Sequence, residues 1–182
     1  SQMPRDPQAR SDLFAQNSSP CQVHNNCSGK HCGFLTLNKH LGADAEYIDP
    51  NHPVQRAALD AFETVTNMTS PGFGIDGCSA PNPATTMHAM ARAMAWFASA
   101  HDRSDTLSQA AVSLRNAMMA HPELVAGEGR ACTVLMRALD GKVALKTGVE
   151  GYFIAIIPDR NLGIVIKVAA GAPRASDYAS TA

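Results

Sequence analysis

Apolar residues are spaced in two different ways along this chain, and the change falls near residue 140. In "DPNHPVQRAALDAFETVTN" the residues Val54, Ala57, Ala58, Ala61, Phe62 and Val65 recur at helical intervals and predict a helix. "GFLTLNKHLG", from Gly33, predicts another that Gly42 ends. "TTMHAMARAMAWFASAH" is rich in Ala and Met with apolar residues on most faces, so a helix in the middle of the domain is expected. "TLSQAAVSLRNAMMAHP", closed by Pro122, and "CTVLMRAL" give two more. Downstream the texture changes to short β-branched runs, "KVALKTG", "GYFIAIIPD" and "LGIVIKVAAG", separated by Gly, Pro-Asp and Asn. Their short turns predict an antiparallel meander. Helices followed by a meander make the expected fold class α+β.

Between the helical stretches, "TSPGFGIDGCSAPNPA" is dense in Gly and Pro and reads as a long irregular loop, a place where function concentrates. Residues 1–23 read as loop with a short helix around "RSDLFAQ", and residues 172–182 as a small, polar tail that frays. No internal repeat appears, so residues 1–182 are expected to form a single domain.

Composition narrows the partners. The chain has 182 residues, 45% of them hydrophobic, enough for one domain with a real core. Fifteen basic against 16 acidic residues, and only 5% aromatics, give neither the charge nor the stacking surfaces that nucleic acid needs. No apolar run approaches the roughly 20 residues that a bilayer demands, so no membrane partner is expected. Nor does "SQMPRDPQAR" contain the apolar core of a secretory signal. Five cysteines, at 21, 27, 32, 78 and 132, are an odd number in a chain too large to need staples. Reduced thiols in a cytoplasmic protein follow. The chain opens on Ser1, with Pro4 and Pro7 close behind, which reads as the middle of a longer polypeptide.

The densest chemistry is "HNNCSGKH", His24 to His31. A turn at Gly29 could bring the Cys27 thiolate and the Lys30 amine to one point. Lysine ligates a metal only after losing its proton, which makes His31 the ordinary chemical choice. A helix N-terminus capped by Asn26 or Ser28 is the bland alternative, and Ser28 with Lys30 makes a loose Ser/Lys pair. Cys78, in "GIDGCSAP", could converge with Cys27 on a soft cation, Zn2+ being the default for S and N donors. Asp76 would then accept a hydrogen bond from a ligand. Cys21 and Cys32 are weaker candidates, Cys32 being read as packing. "KTG", Lys146 to Gly148, ends a strand as such triplets do along the active-site wall of penicillin-recognising serine enzymes. In "GEGRACT" the glycines could present Arg130 to a carboxylate, or form a helix entry with Thr133 near the cap.

In order along the chain, "HNNCSGKH-G", "DPNHPVQ", "GIDGCSAP", "HPELVAGEGR-CT", "KTGVEG" and "LGI-IKV--G" resemble the rhizobial-type (thermolabile-type) L-asparaginase II family, from about His24 to about Gly171. The resemblance implies a serine β-lactamase/glutaminase-like fold and hydrolysis of L-asparagine to L-aspartate and ammonia. It also implies Zn2+ held by Cys27, Lys30 and Cys78, with Asp76 beside it, His31 and Arg130 near substrate, and Lys146 as the lysine that serves a catalytic serine. Those serines, one in a Ser-x-x-Lys arrangement, stand in an N-terminal half in the family, and the full-length form is a homodimer. This chain has no Ser-x-x-Lys, so it is expected to be the C-terminal portion of the enzyme. Two other readings stay open: a β-lactamase-like glutaminase or peptidase, and a non-enzymatic zinc-stabilised or redox-sensing domain.

Overall fold

The computed structural model describes residues 3, 4 and 6–171, and the C-terminal tail lies outside them. These residues fall into two compact units. One contains the chain up to Glu63 together with Ser70–Ala84, and the other contains Thr64–Thr69 and the chain from Thr85 onward. The fold class is α+β, with seven α-helices and two antiparallel sheets among the described residues.

In the first unit, helix α1 spans Pro7–Ala15. Asp6 caps it by accepting from the Ala9 N–H at 2.8 Å, and Pro7 occupies the first turn, where its missing N–H costs nothing. A 3₁₀ turn at Gln22–His24 follows, then α2 at Ser28–Leu41. Gly42 closes α2 in the left-handed conformation, φ 63°, where glycine carries no Cβ penalty, and this is the predicted end. The start differs from the predicted Gly33. None of the α2 residues is buried, so no apolar stripe marks its first turn, and Gly29 and Gly33 depress helix propensity there. The cap is Cys27, not Asn26 or Ser28, and its side chain makes no capping bond.

Helix α3 covers Pro53–Thr66, as its periodicity predicts. The glycine-rich stretch is a correction. It is a hairpin, with β1 at Phe73–Ile75 pairing antiparallel to β2 at Pro81–Pro83. Two prolines in a three-residue strand hide it from a pattern search, yet a two-stranded ribbon is all edge and tolerates them. The Asp76 N–H reaches the Ala80 carbonyl at 2.9 Å and the Ser79 N–H reaches the Asp76 carbonyl at 2.8 Å, which folds the turn back on itself.

The second unit is a three-stranded meander between helices. Strands β3 (Ala144–Gly148), β4 (Tyr152–Ile157) and β5 (Leu162–Lys167) pair in sequence order, antiparallel, as predicted. Alternation along the strands sends Leu145, Phe153 and Ala155 to one face, where Cys132 and Met136 of α7 (Ala131–Ala138) cover them. Ala144 and Ile156 go to the other, against Ala93, Met94 and Ala98 of α4 (Met87–Ala98). Helix α4 thus buries one face on the sheet and exposes Met87, rather than being apolar-packed all round. Close approach there depends on Gly163, because a Cβ at that position would lie 2.2 Å from the Ala95 backbone nitrogen.

Helix α5 (Thr106–Ala120) completes this layer and supplies Arg115, 5% exposed. Its guanidinium donates to the carbonyls of Phe97 and Ala98 and to His101 Nδ1, so the orphan carbonyls at the end of α4 gain a cationic cap. Burial pulls the Arg115 pKa down, though Asp102 opposes this. Pro122 follows the end of α5 and opens a short helix, α6 (Pro122–Ala126), which sequence reading had missed because five residues carry no period.

Candidate metal centre

Three donors from two elements of the first unit converge. Cys27 stands at the entrance to α2, and Asp76 and Cys78 sit in the turn of the β1–β2 hairpin. The two sulfurs and a carboxylate oxygen of Asp76 all lie within 4.8 Å of one another. Lys30, on the first turn of α2, donates from Nζ to Asp76 Oδ2 at 2.7 Å and also lies against Cys78. Local bonds fix these positions. The Cys27 N–H donates to Asn25 Oδ1 at 2.8 Å, and the Gly77 N–H to Asp76 Oδ1 at 2.7 Å.

The electrostatics of the cluster are those of one carboxylate paired with one ammonium beside two cysteine side chains. Burial, with help from the neighbouring Cys78 thiol, pushes the Cys27 pKa up, and Lys30 only partly offsets this. The bond from Lys30 holds the Asp76 carboxyl below the usual carboxylate range. Burial works against the Lys30 charge, but its bonds to Asp76 and Cys78 together outweigh that and keep it above the usual lysine value. Cysteine sulfurs and a carboxylate are donors of the kind Zn2+ takes, and the Lys30 amine could join them only after losing its proton. A dication entering this group would supply the positive charge that Lys30 now supplies, leaving the amine free to lose its proton.

The other candidates are dispersed. His31 follows Lys30 on α2, but its ring is turned to Tyr47, with Nδ1 2.7 Å from the hydroxyl, while its buried Nε2 has no partner. Cys21 is exposed and bonded to His24, and Cys32 is exposed rather than packed. Lys146 and Arg130 belong to the second unit. Lys146 is exposed on β3 and donates to the Thr147 carbonyl. Arg130 caps α7 at its start with an exposed side chain, while Thr133, fully buried, bonds the carbonyls of Gly127 at 2.6 Å and Pro122 at 3.1 Å. Cys132 is buried in the sheet core and accepts from the Thr147 N–H at 3.1 Å.

A pocket of about 250 Å³ adjoins the cluster within the same unit, lined by Lys30, Phe34, Gln55, Phe62, Phe73 and Asn82 among others. Sequence reading passed over Tyr47, which bonds His31, and Gln55, which bonds the Tyr47 carbonyl at 2.7 Å. For Gln55 the available signal was "DPNHPVQ", polar residues held inside an otherwise apolar-spaced helix entry, and for Tyr47 there was none.

Comparison with known proteins adds the family. No curated protein matches the chain. The model of the L-asparaginase II family matches residues 1–182, its whole length. A match over the whole length places the chain in the L-asparaginase II family.

Proposed function

We propose that this chain is the C-terminal part of an amidohydrolase that converts L-asparagine to L-aspartate and ammonia, on a serine β-lactamase-like frame. The family match supports asparaginase-type hydrolysis in general. The observation that carries the reading further is the convergence of Cys27, Asp76 and Cys78 with the Lys30–Asp76 pair. In this reading Cys27, Lys30 and Cys78 would hold Zn2+, and Asp76, which accepts from Lys30 at 2.7 Å, would orient its amine. When bound, the ion supplies a Lewis-acidic point that fixes polar atoms of the substrate.

The acyl transfer needs a serine hydroxyl as nucleophile and a base to take its proton. Lys146 is the base in this reading. The serine oxygen attacks the side-chain amide carbon, the C–N bond breaks as the nitrogen gains a proton, and ammonia leaves. Water then cleaves the ester to release L-aspartate. Arg130 offers an exposed guanidinium suited to a carboxylate of the substrate.

The test is ammonia release from L-asparagine and from L-glutamine. It is run on the chain alone and on the chain mixed with a family segment that carries Ser-x-x-Lys. Turnover of L-asparagine that appears on mixing and is lost in Lys146→Met supports the reading. Equal turnover in Lys146→Met, or preference for L-glutamine, contradicts it. Robust turnover by the chain alone that vanishes in Ser28→Ala would instead make Ser28 the nucleophile.

A further inference from the structure

Helix α2 presents a problem of placement. It buries none of its residues, and the Cys27 side chain makes no capping bond, so neither a buried apolar face nor a cap sets the rotation of its first turn. Yet that turn carries Cys27 and Lys30, which must meet donors from a separate hairpin. Besides the Lys30–Asp76 bond, the contacts that hold it run to the segment between α2 and α3, where Phe34 as well as His31 meets the Tyr47 ring. His31 Nδ1 bonds the Tyr47 hydroxyl at 2.7 Å, the two rings meeting edge-on at 5.6 Å, and Asn38 donates to the Asp44 carbonyl at 2.9 Å. His31 stands one helical turn from Cys27 on the same face, so fixing its ring fixes the azimuth of Cys27.

The segment is itself held by buried polar groups, an expensive way to anchor a loop. Gln55, 6% exposed, donates to the Tyr47 carbonyl at 2.7 Å. His52, 5% exposed, accepts from the Val54 N–H at 3.1 Å on Nδ1. Its Nε2 therefore faces Asp44 Oδ1, at an ion-pair distance of 3.4 Å. The line of contacts is continuous from the buried start of α3, through Tyr47, to the turn that bears the proposed ligands.

We propose that Tyr47 is a positioning residue for metal capture: through its hydroxyl bond to His31 it sets the first turn of α2 so that Cys27 and Lys30 face Asp76 and Cys78. This rests on the ligand reading above.

The test is Co2+ titration of the 182-residue chain, read by the thiolate-to-cobalt charge-transfer absorbance, beside melting of the metal-free chain. Tyr47→Phe removes the hydroxyl and keeps the ring. Its Co2+ affinity is expected to fall about tenfold or more, with a weaker charge-transfer band and an unchanged metal-free melting temperature. Tyr47→Phe combined with His31→Phe should lose no more than His31→Phe alone, since both act through one bond. Wild-type affinity and spectrum in Tyr47→Phe would overturn the proposal, as would an affinity loss matched by a fall in metal-free melting. If the unaltered chain itself took up no Co2+, the ligand reading would fail and this inference with it.

Discussion

Lys30 and Asp76 pose the sharpest question at the level of single residues, because each could be the third ligand. Their ion pair is about one-third exposed on both sides, so it adds only ~0–1 kcal/mol to stability. Replacing either should leave the metal-free fold intact. Metal binding separates the roles. If the amine ligates, Lys30→Met lowers Zn2+ affinity about tenfold or more, and Asp76→Asn, which loses only the bond that orients the amine, lowers it less. Competition with a chromogenic chelator measures both. The reverse order would make Asp76 the ligand and Lys30 its counter-ion. Residue chemistry alone raised Cys27, Lys30, Asp76 and Cys78 beside a helix-capping alternative and favoured His31 over Lys30 as a donor, and it was the family resemblance that made these four a set. Tyr47 was not legible, since a half-buried tyrosine in "ADAEYIDPN" has no period or spacing to betray it.

Among the elements, β5 and α4 are joined by the absence of a side chain. A Cβ on residue 163 would meet backbone atoms of Ala91, Met94 and Ala95 at 2.2–2.6 Å, and neither the helix nor the edge strand β5, whose Gly163 pairs with Ile156 of β4, can retreat without disturbing Ala93 and Ile156. Gly163→Ala is therefore expected to cost about 3 kcal/mol or more, an over-packing penalty at the upper end of its range. Urea unfolding checks it, with a lower midpoint at unchanged slope. A midpoint equal to the parent would mean that the helix slides without cost. Asp105 supplies a pH test on α5. Its carboxylate accepts from the Ser108 N–H at 2.9 Å and the Ser108 hydroxyl at 2.7 Å, and these bonds hold its pKa below the ordinary value of 3.8. A carboxyl lowered on folding stabilises fully above its unfolded value, and loses that stability as pH falls through the lower folded one. The gap in melting temperature between the parent and Asp105→Asn should be constant above about pH 4 and close below it. A gap that widened on acidification would contradict the assignment.

The same elements show what pattern reading can reach. Strands β3–β5 and helices α3, α4, α5 and α7 were legible because each buries a face, and burial imposes a period on the sequence. Helix α2 was legible only from Gly33 to its end at Gly42, because its first turn offers no apolar residue to the pattern, and the β1–β2 hairpin consists of three-residue strands with exposed or half-exposed side chains that leave no periodic trace.

Across the molecule, core material is unequally shared. Of the buried apolar residues described, the first unit holds only Leu13, Val54 and Ala80, while both hydrophobic clusters belong to the second. A unit with so little apolar burial gains most from a ligand that binds only its folded state. Chelation should speed amide hydrogen exchange in α2 and the β1–β2 hairpin and leave α4 and β3–β5 unchanged. Uniform change across the chain, or none, would argue that no metal supports the first unit. No helix among the described residues is long and apolar enough to cross a membrane.

The zinc content of the purified chain, by elemental analysis without added metal, bears most directly on the central claim. The account expects about one zinc per chain, as a single site with three protein ligands requires, and its loss in Cys27→Ser and in Cys78→Ser. Cys132→Ser should keep the zinc, because that thiol is sealed in the sheet core of the second unit. Equal zinc in all three variants, or none in the unaltered chain, would contradict it.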